Sequence, residues 1–300
     1  MSTRIESHDA IRFCKYCRSG RNKSGNVQIY KCHTCGRVFS ANFGFRYRRY
    51  DPAVISEAMH LFYSGTSSRA IADVFEARGI DVGGSAIRKW IKRYAKVAHL
   101  FTESLTPDVG KWYRADEVWV KAGGNQCYLF ASMDDDTRYW IAADLADNKF
   151  HHNADGLLRD AKKHTGKAPT AFITDKLHAY DKASRKIFGN GTYHKADAGI
   201  RSKRLGPLGG SSGNYHPSNN RMERFNGTVR GREKTFRGLS SIDTAIFKGM
   251  KVHCNHVRKH DAVDNKTPAE AAGIHTEGRN KWKTLIQNSS LHLIATDQRV

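Results

Sequence analysis

No run of this 300-residue chain approaches the roughly 20 apolar residues that a membrane span requires. The opening MSTRIESHDAIRF carries no apolar core of the secretory kind. Both absences predict a cytoplasmic protein. Acidic residues are few, 29 against 50 Lys and Arg, giving a formal charge of +21 and a pI near 9.8. Such an imbalance predicts a polyanionic partner. A basic helix with the aromatic face that a membrane surface would want is missing, which turns the expectation away from lipid. Also missing are a nucleophile elbow, a Gly-rich phosphate loop and any Ser-His-Asp arrangement, so hydrolase and nucleotide-dependent classes find no support.

The positive charge is concentrated. Residues 1–50 hold 11 basic against 2 acidic residues, and residues 195–260 hold 14 against 4. Together they supply +19 of the +21. Affinity for phosphates at these two blocks should fall steeply with salt.

Cysteine is scarce, six in all, but four are ordered: Cys14 and Cys17, a 14-residue spacer, then Cys32 and Cys35. Two C-x2-C turns at that separation predict a four-thiolate zinc ribbon over 10–45, with disulfides the alternative in an oxidising compartment. A segment so small buries little core, so the metal would provide its folding free energy. Cys127 and Cys254 read as ordinary buried or half-buried residues.

From 50 to 98 the apolar spacing becomes helical. Val54, Ala58, Leu61 and Phe62 line a first helix, Ala70, Ile71, Val74 and Phe75 a second, and Ile87, Ile91 and Tyr94 a third. Gly65-Thr66-Ser67 and Gly83-Gly84-Ser85 supply the breaks. The third helix presents Arg88, Lys89, Lys92, Arg93 and Lys96 on its other face. That suits a helix-turn-helix whose last helix enters a major groove, with Arg88, Lys89 and Arg93 as DNA contacts, although a charged outer face is also an ordinary solvated one.

Beyond residue 110 three acids stand out. Asp116 interrupts the strand-forming run Trp112–Val120, where Asp is disfavoured without a task. Asp175 closes the short apolar run Ala171–Thr174, which reads as a buried strand. Glu223 rides a helix in which Met222, Phe225 and Val229 recur at helical spacing. Gathered in one pocket, three carboxylates would repel unless cations neutralised them, and magnesium prefers oxygen ligands. Two such ions serve phosphodiester chemistry, activating a water or sugar hydroxyl on one side and stabilising the leaving oxygen on the other. Taken singly, each acid has a plain reading as turn, helix surface or strand residue. Asp134-Asp135-Asp136 reads as a turn between strands, and His253, His256 and His260 share a helical face suited to packing or to a metal.

The order from 112 is a strand with Asp116, strands near 126–132 and 138–143, a helix near 155–163, a strand to Asp175, a helix near 177–188, a basic Gly-rich stretch and the Glu223 helix. This fits an α/β layered domain. ADEVWVK, ITDKLHAY and NNRMERFNGTVRGREK resemble the three acid-bearing blocks of DDE transposases of the insertion-sequence six family, and NHVRKHDAVDNKTPAEAAGI resembles their C-terminal signature. The resemblance runs from about residue 50 to 275. It implies a ribonuclease H-like catalytic domain with a mixed sheet over 110–275, behind the zinc ribbon and helix-turn-helix, with 276–300 as a tail. It implies catalytic Asp116, Asp175 and Glu223 holding magnesium or manganese, and Arg230 on a DNA phosphate. Its partners would be double-stranded DNA, both element ends and target, and at least a second copy of the chain, since two ends are joined. A silent DNA-binding regulator and a structure-specific nuclease of the same fold are the rival readings. The separation of Asp175 from Glu223 exceeds the family's usual one, the excess falling at 197–216, which reads as a loop or insertion.

Overall fold

The structure is a computed structural model that describes residues 2–5, 16–21, 28–32, 38–40, 44–45, 50–175, 177–196, 220–236, 239 and 244–295. In chain order its strands and helices are β1 (Thr3–Ile5), β2 (Tyr16–Arg21), β3 (Gln28–Cys32), β4 (Val38–Ser40), α1 (Pro52–Ser64), α2 (Ser68–Glu76), α3 (Gly84–Glu103) and β5 (Trp112–Ala122). There follow β6 (Asn125–Asp134), β7 (Trp140–Ala146), α4 (His151–Thr165), β8 (Ala171–Thr174), α5 (His178–Ile187), β9 (Tyr193–Ala196) and α6 (Asn220–Glu233). The last are α7 (Ala245–Val252), α8 (Pro268–Ala271), β10 (Ile274–Thr276) and α9 (Lys281–Ala295). No helix among the described residues is long and apolar enough to cross a membrane.

These elements divide into two compact units, one of Met1–Leu105, Ala245–Val257 and Ile274–Val300, the other of Thr106–Thr244 and Arg258–Gly273. In the first, β2, β3 and β4 form a small antiparallel sheet in which Tyr16 lies opposite Cys32 and Cys17 opposite Lys31. Cys14 and Cys35 lie outside the described residues, as does the 197–216 stretch of the other unit.

The helices of the first unit begin and end where local chemistry directs. Asp51 accepts the Ala53 N–H at 2.6 Å and Pro52 opens α1, while Gly65, at φ 113°, adopts the left-handed cap that ends it. Ser67 caps α2 by accepting from Ala70 at 3.2 Å. The core is built from Ile55, Met59, Phe62, Ile71, Phe75, Ile87 and Ile91 together with Met250 of α7 and Trp282, Leu285 and Ile286 of α9. Lys281–Ala295, within the stretch expected as a tail, is thus a packed helix. Val74, expected on the buried face of α2, is 45% exposed, because Ile71 and Phe75 already fill the short helix's contact.

The second unit is an α/β domain around a mixed sheet, as expected. Its strand order is β7-β6-β5-β8-β9, with β5, β6 and β7 antiparallel and β8 and β9 parallel to β5. Gly123 and Gly124, at φ 60° and 82°, make the two-residue turn that joins β5 to β6, a conformation that nearly any side chain would resist. Val118, Leu129, Phe130, Ile141, Leu157, Leu158 and Phe172 form the core. Helix α4 packs on β6 and β7, and α6 packs along β5.

Candidate active site

Strands β5 and β8 pair from Trp112↔Ala171 to Arg114↔Ile173, and β8 stops at Thr174. Carried on two places, that register sets Asp175 level with Asp116, and level residues of parallel strands share a face. Two acids 59 positions apart in sequence are therefore brought together by strand pairing. Oxygens of Asp116, Glu117 and Asp175 all lie within 4.8 Å of one another, and among the described residues this is the one His/Cys/Asp/Glu group so arranged. Alternation along a strand would send Asp116 and Glu117 to opposite faces, yet their oxygens meet just past Arg114, where the paired register of β5 and β8 ends.

Each acid is oriented. Asp116 Oδ1 accepts from the Glu117 N–H at 2.9 Å and Oδ2 from Asn226 Nδ2 at 2.9 Å. Asp175 Oδ1 accepts from the Leu177 N–H at 3.0 Å just ahead of α5. Glu117 Oε2 accepts from Lys149 Nζ at 3.2 Å. Burial pushes the Asp116 carboxyl up to about 6, with the charges of Asp175 and Glu117 adding to the rise and the Glu117 N–H and Asn226 opposing it. Burial likewise raises Glu117, Asp175 adds to it, and Tyr180 and Lys149 oppose. The group is thus short of positive charge, and its hard oxygen donors fit a small divalent cation.

Glu223 is exposed on α6 and is not a member of this group. Its helix is held at three places. Arg221 Nη1 lies 2.5 Å from Asp135 Oδ2, Asn226 reaches Asp116, and Phe225 meets Trp140 edge-on at 4.6 Å between ring centres. Glu223 stands one helical turn before Asn226, the residue that touches Asp116. Arg230 is exposed near the end of the same helix. In the other unit Lys89 and Arg93 are exposed on α3 and Arg88 is half-buried. Cys17 and Cys32 sit on the paired strands β2 and β3.

Glu117, Asn226 and Arg221 carried no expectation from the sequence, and Asp135 was expected only as a turn residue. A second acid directly after Asp116, and an amide three places after Glu223, were the available signals. The histidines form no metal group among the described residues. His253 stacks on Tyr63 at 5.8 Å and 27°, and His260 Nδ1 accepts the Ala262 N–H at 3.1 Å. Asp135 does begin a turn, as expected of the acidic triplet, but it is 2% exposed and bound by Arg114 and Arg221.

Residues 110–260 match the family described as a DDE domain. The transposase for insertion sequence-like element IS431mec of Staphylococcus aureus is 26% identical over 144 residues, covering 48% of this chain and 63% of that protein. The transposase for insertion sequence element IS257 in transposon Tn4003, also of Staphylococcus aureus, is 26% identical over 145 residues with the same coverage. The chain therefore spans 63% of the length of these relatives. Among solved structures, it is similar to a simian T-cell lymphotropic virus intasome (TM-score 0.41, 18% identity, 58% of each chain). It is also similar to the HTLV-2 integrase catalytic core domain in complex with magnesium (TM-score 0.39, 14% identity, 56% of this chain and 98% of that one).

Proposed function

The chain belongs to the DDE-domain family, and from that premise we propose that it is a DNA transposase that cuts and joins phosphodiester bonds at the ends of a mobile element. The convergence of Asp116 and Asp175 at the mouth of one sheet, with Glu117 beside them, carries this reading. Asp116 and Asp175 would hold magnesium, or manganese in its place, and Glu223 would complete the set when DNA is bound. When bound, such cations would supply Lewis acidity to the attacking water or hydroxyl and to the departing oxygen.

The chain's own residues do the rest. Asn226 fixes the face that Asp116 presents, leaving its other oxygen to the Glu117 N–H. Lys149 orients Glu117 and offsets part of the local negative charge. Arg230 grips a backbone phosphate, for which a guanidinium is well shaped. Arg88, Lys89 and Arg93 of α3 bind the element end, helped by a ribbon whose zinc is held by Cys14, Cys17, Cys32 and Cys35. A second copy brings the second end, since joining two ends to one target needs two sites.

The exposure of Glu223 outside the acid group favours one rival, a DNA-binding regulator without chemistry. Incubating a labelled element end with magnesium separates the two. The transposase yields a free 3′-hydroxyl and strand-transfer products, both lost in Asp116→Asn while binding persists. Binding by the unaltered protein with no cleavage would establish the regulator instead.

A further inference from the structure

The outer face of the β5–β6 hairpin leads away from the acid group. Cross-strand register pairs Glu117 with Phe130, Trp119 with Tyr128 and Lys121 with Gln126, so these six residues share one face. Glu117 and Phe130 are buried, whereas Trp119 is 53% exposed. An indole left half in water is an uncommon use of the largest apolar side chain. It is also held in place. Tyr128 meets it edge-on at 5.7 Å and 77°, and the Tyr128 hydroxyl accepts from Gln126 Nε2 at 3.1 Å. Lys149 Nζ lies 5.0 Å from the centre of the Tyr128 ring and 3.2 Å from Glu117 Oε2.

Acid group, Lys149, Tyr128 and Trp119 therefore form a continuous strip. Glu117 and Trp119 are two strand residues apart, about 7 Å. Beyond Trp119 opens a cleft of about 630 Å³ lined by Trp119, Lys121, Gln126, Lys234 and Phe236 among others. Its one carboxylate, Glu233, accepts the Lys121 backbone N–H at 2.6 Å. Lys121 and Lys234 are both exposed, so the cleft pairs an open aromatic face with two cations and an amide.

That combination fits one ligand. Bases inside a duplex are already stacked and offer no free face, whereas unpaired bases stack on aromatic rings while their phosphates lie along lysines. We propose that this strip and cleft bind a single-stranded stretch of DNA next to the bond held at the acid group, with an unpaired base on Trp119 and phosphates on Lys121 and Lys234. The assignment rests on DNA being the substrate. It adds a site away from the metal ligands and selects for a frayed or already nicked end.

The test uses the full chain with no magnesium or manganese added, so that nothing is cut, with fluorescein-labelled oligothymidylate and a duplex of equal length read by anisotropy. Trp119→Ala should weaken oligothymidylate binding about 5- to 150-fold, the range expected of one stacked base, and change duplex binding less than twofold. Trp119→Phe should keep most of the affinity, and Lys121→Ala with Lys234→Ala should flatten the salt dependence. In the unaltered protein, bromodeoxyuridine oligonucleotides should crosslink to the peptide containing Trp119, a readout that needs no variant to fold. Unchanged oligothymidylate affinity in a folded Trp119→Ala, or crosslinks confined to other peptides, would overturn the proposal. So would a Trp119→Ala whose sole change is a lower oligomeric mass, which would make the strip a protein interface. If no DNA is ever cleaved yet Trp119-dependent binding persists, the transposase reading fails and the strip stands. Cleavage accompanied by Trp119-independent binding sinks the strip alone.

Discussion

Asp116 is held under electrostatic tension. Its folded-state pKa of about 6 stands above the ordinary value of 3.8, so between those limits the folded protein binds more protons than the unfolded chain. Without metal, stability therefore falls as pH rises through that window and stays low above it, a loss of at most about 3 kcal/mol. Asp116→Asn removes the charge and the loss with it. With no magnesium added, near neutral pH the variant should melt above the parent, the gap should close near pH 4, and magnesium should raise the melting temperature of the parent but not of the variant. A variant that melts below the parent near neutral pH without magnesium would contradict this. Asp116 and Asp175 were legible because an acid within or at the end of an apolar strand conflicts with its surroundings. Glu117 was not, since strand alternation assigns it to the opposite face. Neither was Asn226, whose amide has no meaning in a helix until a carboxylate is placed beside it.

Helix α6 is set on the sheet by charge as much as by packing. Asp135, 2% exposed, is bound by Arg114 Nε at 2.5 Å and by Arg221 at 2.5 Å, and Arg114 itself is 1% exposed. Arg114→Ala removes the most buried cation of this network and leaves Asp135 to Arg221 and Arg138, so it should lower the urea midpoint. Arg221→Ala, whose residue is 36% exposed at its side chain, should cost less. Because it loosens the turn that carries Glu223, it should raise the magnesium concentration needed for cleavage. Equal urea midpoints for Arg114→Ala and the parent would rule out the buried network. The reading of the Asp134–Asp136 triplet as a turn captured its backbone, since local composition reports turns. Its bonds to Arg114 and Arg221 come from β5 and α6, and no window around the triplet contains them. The expected strands and helices from 112 to 188 coincide closely with β5 to α5, because their periodicity is strong. Helix α9 went unread, its apolar Trp282, Leu285 and Ile286 being followed by the polar run Gln287-Asn288-Ser289-Ser290.

Across the whole chain, hydrophobic spacing tells which side of a helix is buried but not against what. Met250 of α7 and Trp282 of α9 fill the same unit as α1 to α3, although a full mixed-sheet domain intervenes in sequence. Tyr63 of α1 stacks on Trp282 at 5.4 Å and 23°, a contact between residues 219 positions apart. Contacts of that kind arise only on folding, as does the meeting of Asp116 with Asp175. The central claim concerns the acids and a third that joins them when DNA is present. Anomalous scattering from manganese in crystals of the protein bound to an element end would test it most directly. Manganese should be found against Asp116 and Asp175 with Glu223 turned onto the same ions. Manganese absent from Asp116 and Asp175, or bound there with Glu223 remote, would contradict the assignment.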